Sequence, residues 1–202
     1  MIKLYGFEAS GNCYKIRLLL SLLGIEYENI IINVKSGDNK TAEFLQINPH
    51  GLVPVIIDGD DVVYDSAAIL VYLARKHADP CWLPTDPVAM SQVVRWLAFE
   101  QSEGRYGLAR ARAMLLNMPS PLAKMGTLEE AQGVGRQALG MLEEQLAHQQ
   151  WLAGEGVPTV ADIACYPYTA MAEQGGLSLE PHASVNRWMT AIKQLVGYVA
   201  LL

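Results

Sequence analysis

The feature that most constrains this chain is a change of rhythm near residue 79. Before it, short β-prone runs alternate with helical patterns; after it, no strand pattern recurs. Residues 2–6 form a β-prone run ending at Gly6. Over 13–23, apolar Ile16, Leu19, Leu20 and Leu23 recur at helical spacing, and Gly24 supplies a helix stop. Residues 27–34 read as a second strand, with Ile30, Ile31 and Ile32 running together as in a buried strand. A short helix is predicted over 41–47. Residues 54–58 and 62–64 flank the Gly59-Asp60 turn as a hairpin. Over 66–77, Ile69, Leu70 and Leu73 fall on one helical face. The predicted order is β-α-β-α-β-β-α.

Asp79-Pro80, Pro84 and Pro87 crowd residues 79–87, which read as a linker. Helical patterns then run over 88–117, 128–149, 160–172 and 182–195, broken by Pro- and Gly-containing stretches at 118–121 and 154–158. With about 150 residues as a soft prior per domain, 202 residues allow one large domain or two small ones. The rhythm selects two: an α/β domain over 1–78 and an all-α helical bundle over 88–202.

Composition narrows the function. Apolar residues make up 51% and charged residues 18%, which excludes a disordered chain. The net charge is −6, and neither half is basic, so broad binding to a nucleic-acid backbone is not expected. Cys13, Cys81 and Cys165 lie far apart and are odd in number, which fits a reducing compartment. The four histidines are equally scattered, so no metal site is expected. The apolar run at 18–25 contains Ser21 and Gly24 and is far short of the roughly 20 residues of a membrane span. The N-terminus lacks a signal-peptide layout, and the expected location is the cytoplasm.

Three segments carry chemistry. Ser10-Gly11-Asn12-Cys13-Tyr14-Lys15 follows a strand and opens a helix. A helix start presents unpaired N–H groups and favours anions, thiolates included; Ser10 or Asn12 serving only as a cap is the competing interpretation. In Asn48-Pro49-His50-Gly51-Leu52-Val53-Pro54, a proline opens a strand where it cannot donate to the ladder. About 5–6% of X–Pro bonds are cis, so trans is the default; a cis bond would turn the Val53 backbone toward a peptide-like ligand. In Asp65-Ser66-Ala67, Ser66 is expected to cap a helix with Asp65 beside it. Thr159-Val160-Ala161-Asp162 reads as a capping box, which supports fold rather than chemistry.

In this order and at these separations, the segments resemble the cytosolic glutathione S-transferase family, in particular bacterial-type members with a serine motif. The resemblance covers the whole chain and implies a thioredoxin-like first domain with a mixed four-stranded sheet, glutathione as co-substrate, and a role in detoxification. It implies that Leu52, Val53 and Pro54 meet the cysteinyl backbone of glutathione. Asp65 and Ser66 would hold its γ-glutamyl end, and Lys40 its glycyl carboxylate. No metal is implied.

A free thiol has a pKa near 8.5, and lowering it by about two units requires roughly 2.7 kcal/mol. A hydrogen bond to a charged group contributes about 1.5–3 kcal/mol. The resemblance points to Ser10 as the donor, with Asn12 next; Tyr5 and Cys13 remain alternatives. Ser10-x-x-Cys13 has the spacing of a Cys-x-x-Cys redox site with a hydroxyl in the attacking position. A small electrophile is expected between the domains, against Phe7 and Glu8 and a helical stripe of Phe99, Glu103, Tyr106 and Arg110. A homodimer is implied, with His50 where family members carry an aromatic knob. The competing functions are a glutathione-dependent peroxidase or reductase on the same scaffold and a non-catalytic binding member.

Overall fold

The computed structural model describes residues 1–201. Its first part is a four-stranded sheet in the order β2-β1-β3-β4. Strand β1 (Ile2–Gly6) pairs parallel with β2 (Tyr27–Ile31) and antiparallel with β3 (Val55–Asp58); β4 (Asp61–Tyr64) closes the hairpin with β3. The sheet is mixed, as expected, and its central strands separate two apolar layers by alternation. Ile2, Leu4 and Ile56 enter the main core with helices α1 (Gly11–Leu22) and α3 (Ser66–His77). Tyr5 and Val55 point the other way, against Phe44 of the short helix α2 (Ala42–Ile47).

One expectation fails in the sheet. β2 is an edge strand that ends at Ile31, and Ile31 is 53% exposed. The run of three isoleucines is therefore not a buried strand: Ile32 alone is fully buried, in the small cluster on Phe44.

The second part is helical: α4 (Pro87–Phe99), a π-helical segment (Glu100–Ala109), α5 (Arg110–Leu115), α6 (Leu128–His148), α7 (Val160–Ala170) and α8 (Ala183–Lys193). The helix expected over 88–117 is continuous through Leu115, but its middle winds with i→i+5 bonding and so uses more residues per turn. Gly107 and Gly135 let this segment and α6 cross at backbone contact. A Cβ on Gly107 would lie 2.6 Å from the Gly135 nitrogen.

Helix α7 is buried along nearly its whole length and touches both α1 and α3, so it fastens the two parts together. Its start is the capping box read from the sequence: the Asp162 carboxylate accepts from the backbone N–H groups of Thr159 (2.8 Å) and Leu152 (2.9 Å) and from Trp188 Nε1 (2.9 Å). Among the described residues no helix is long and apolar enough to cross a membrane.

Candidate active site

A cleft of about 490 Å³ lies between the start of α1, the loop before β3, the start of α3 and the wall formed by the π-helical segment and α5. This volume falls in the range of small-ligand sites. Ser10, Asn12, Leu52, Val53, Pro54, Asp65, Ser66 and Phe7 all line it. Lys40, Phe99, Tyr106 and Arg110 do not.

Ser10 caps α1. Its Oγ accepts from the Cys13 N–H at 3.3 Å, so its own O–H remains a donor facing the cleft. Asn12 follows in the first turn, and its Oδ1 accepts from Lys15 Nζ at 2.8 Å. An ammonium only donates, so this contact fixes the amide orientation and leaves the Asn12 NH₂ free to donate elsewhere. Lys15 is fully buried; it pairs with Glu100 Oε1 at 2.6 Å and lies 5.3 Å from the Tyr168 ring centre. That ring seats on Gly11, where a Cβ would come within 2.8 Å of Tyr168 Cε1.

The two alternative thiol activators sit elsewhere. Tyr5 faces the opposite layer, edge-on to Phe44 at 6.3 Å between ring centres. Cys13 is fully buried; its Sγ accepts from the Phe7 N–H at 3.3 Å, and burial pushes its pKa up. A thiol held in the neutral form out of solvent is a poor nucleophile.

Across the cleft, the Val53–Pro54 peptide is cis rather than the default trans. Among the described residues the Val53 N–H and C=O have no hydrogen-bond partner, so the main chain is free to meet a ligand. Leu52 is 54% exposed, and its carbonyl is occupied by Asn48 Nδ2 at 2.9 Å. Lys40 is exposed and turned toward the loop, donating to the carbonyls of His50 (3.2 Å) and Gly51 (3.3 Å). Its buried neighbour Asn39 reaches the cleft instead, with Nδ2 2.7 Å from the Gly51 carbonyl.

At the start of α3 the cap is Asp65 and not Ser66. Asp65 has φ +73°, a conformation rare outside glycine that costs on the order of 1–3 kcal/mol and gathers at functional sites. Its carboxylate accepts from the Ala67 N–H at 3.0 Å. Ser66 becomes the first helical residue, and its buried Oγ has no partner among the described residues. A buried hydroxyl without a protein partner at a cleft leaves a hydrogen bond for a ligand or an ordered water to make.

The electrophile stripe expected from 3.6-residue periodicity is corrected by the π-helical segment. Phe99 packs into the core on Trp96, with ring centres 4.9 Å apart. Tyr106 is exposed beside Arg105, and Arg110 turns to the Thr127 carbonyl (3.0 Å) and Glu130. Glu8 is exposed, and Glu103 is held by Ser102. The wall facing the cleft is Glu100, Gln101, Arg105, Ala109, Arg112 and Ala113. A wider turn shifts which residues share a face, so a stripe drawn at three- and four-residue steps lands beside the residues that line the cleft.

Residues 4–81 match the family model for the glutathione S-transferase N-terminal domain, and residues 126–191 match that for its C-terminal domain. A crystal structure of a glutathione S-transferase from Pseudomonas fluorescens superposes with a TM-score of 0.90 at 36% identity, covering 100% of this chain and 98% of that one. The chain belongs to the glutathione S-transferase family.

Two curated relatives show the similarity over different lengths. Glutathione S-transferase GstB of Escherichia coli is 28% identical over 193 residues, which cover 93% of this chain and 91% of that protein. A zeta-class glutathione S-transferase of Euphorbia esula is 44% identical over 85 residues, and the match spans only 38% of that relative's length. As in the family, a thioredoxin-like domain is followed by a helical one, with the cleft at their junction.

Sequence reasoning missed Asn39, Tyr64, Arg105, Arg112 and Tyr168 as cleft residues. No α-helical spacing singles out Arg105 and Arg112, because Arg105 lies in the π-helical segment, where residues seven apart do not share a face. His50 lines the cleft beside Tyr64, ring centres 5.8 Å apart.

Proposed function

We propose that this chain is a glutathione transferase that conjugates the glutathione thiolate to a small electrophilic carbon. The observation that carries the reading is the convergence on one cleft of the Ser10 hydroxyl, the unpaired Val53 backbone and the orphaned Ser66 hydroxyl. Val53 would pair with the cysteinyl backbone. Ser66 and Asp65 would meet the carboxylate and ammonium of the γ-glutamyl end, and Lys40 with Asn39 the glycyl carboxylate. Ser10 would donate to the sulfur in the manner of serine-using members, with the Asn12 amide as a second donor.

In the reaction the thiol proton is lost to solvent, the sulfur lone pair forms the S–C bond, and the leaving group departs with its bonding pair. The protein's part is to favour thiolate over thiol and to hold the two reactants together. Cys13, buried and with a raised pKa, argues against a disulfide-exchange reductase.

The reading extends to a glutathione-binding unit over 1–78, a linker over 79–87 and a helical unit over 88–202. It also includes a homodimer in the cytoplasm; the dimer is supported by the family, the location by three unpaired cysteines. The test is retention on immobilised glutathione followed by assay with a model aryl halide and with a peroxide. Retention with conjugation is expected. Failure to bind would support a non-catalytic member, and turnover of peroxide alone would support the reductase or peroxidase alternative.

A further inference from the structure

Arg112 is a buried cation without a counter-ion. It is 6% exposed and lines the cleft. Nε donates to Gln174 Oε1 at 2.6 Å, and Nη1 donates to the Ala9 carbonyl at 3.2 Å, directly before Ser10. Nη1 also touches Met118 Sδ at 3.2 Å. Among the described residues no carboxylate lies within ion-pair distance of Arg112, and Nη2 has no hydrogen-bond partner. Taking a guanidinium largely out of water without an anion is costly, and its one uncommitted nitrogen, Nη2, is left to meet whatever enters the cleft.

The charges around it sharpen the point. Two carboxylates line the cleft, Glu100 and Asp65. Glu100 is committed to Lys15, and Asp65 caps α3. On the Arg112 wall a second arginine, Arg105, is exposed; it donates to Gln101 Oε1 at 3.3 Å and lies over the Tyr106 ring. The rest of this side of the cleft mixes apolar Phe7, Ala109, Ala113, Met118 and Leu122 with uncharged polar Ser120 and Tyr168.

We propose that the electrophile taken by this cleft is an anion: an apolar body carrying a carboxylate, bound by Arg112 and assisted by Arg105. This rests on the glutathione-transfer reading and names the substrate class of the same site. With Nε and Nη1 occupied, the free Nη2 donates a charge-assisted hydrogen bond to a carboxylate oxygen. Its tether to the Ala9 carbonyl keeps that contact beside the residue proposed to hold the sulfur. The carboxylate takes no part in bond making; sulfur still displaces the leaving group.

The test compares a chlorodinitrobenzoate with its methyl ester, both conjugated by the intact protein at saturating glutathione. Each kcat/KM is divided by the uncatalysed rate constant for the same compound. The acid is expected to be favoured about tenfold or more, the scale of one charge-assisted hydrogen bond. Arg112→Gln lowers that ratio about tenfold, Arg112→Lys restores part of it, and Arg105→Gln, at an exposed position, lowers it by a smaller factor. Equal turnover of acid and ester, or a preference for the ester, overturns the proposal while leaving the transferase reading standing. Equal loss of both substrates in Arg112→Gln with an unchanged ratio also overturns it, since Arg112 would then serve the fold or the thiolate. Turnover of neither compound overturns the transferase reading and this proposal with it.

Discussion

Lys15 Nζ lies 2.6 Å from Glu100 Oε1, joining the first helix to the π-helical wall of the cleft through side chains only 0% and 3% exposed. The same ammonium holds the Asn12 amide, and Glu100 also accepts from Gln101 Nε2 at 2.9 Å. One buried pair thus links the start of α1 to the π-helical side of the cleft.

Removing one partner strands the other. Lys15→Met is expected to destabilise the fold by about 3–5 kcal/mol, because it leaves Glu100 charged and buried alone. Replacing both, as in Lys15→Met with Glu100→Leu, recovers most of that loss, since an apolar pair carries no desolvation cost. Urea unfolding of the two variants checks this; equal stability of the single and double variants contradicts it.

The three thiols should differ in reach. Cys13 and Cys165 are buried at 0% and 3% exposure, whereas Cys81 is half-buried. A thiol reagent on the native protein is expected to modify Cys81 first, and the other two only on unfolding. Cys13→Ala is expected to keep conjugation. Loss of conjugation in Cys13→Ala, with the fold intact, would return the cysteine alternative to the lead.

Acid should weaken one exposed network. His77 Nε2 lies 2.7 Å from Asp58 Oδ2, with Lys76 Nζ and the Tyr72 hydroxyl each at 3.0 Å. Led by the His77 contact, these partners hold the Asp58 pKa down at about 2. The unfolded carboxyl titrates near about 3.9, so the folded state favours the charged form. Asp58 therefore contributes fully above about pH 4, and its contribution fades as pH falls toward 2. Melting temperatures across this window should show wild type losing its advantage over Asp58→Asn as pH drops; a constant difference contradicts the assignment.

What was legible in the sequence was local. The Ser10 cap and the Thr159–Asp162 capping box depend on residues within one turn, and both stand as the sequence implied. The order of strands and helices and the helical second part follow from periodicity, while the mixed four-stranded pairing came only from the family resemblance. The cap of α3 was misassigned by one residue because Asp65 adopts a positive φ that its residue type does not announce. The stripe of Phe99, Tyr106 and Arg110 does not line the cleft because a π-helical turn changes which residues align. Lys15 with Glu100, and Tyr168 on Gly11, join segments far apart in the chain, and no local pattern encodes such contacts.

The central claim is that Ser10 holds glutathione as a thiolate in this cleft. The direct measurement is a pH titration of protein-bound glutathione, followed by the ultraviolet absorbance of the thiolate, for wild type, Ser10→Ala and Cys13→Ala. The account predicts a bound thiol titrating about two units below its free value near 8.5, a shift worth roughly 2.7 kcal/mol. Ser10→Ala should return it most of the way, and Cys13→Ala should leave it in place. A bound thiol that titrates at its free value in the wild type, or a shift that survives in Ser10→Ala, would contradict it.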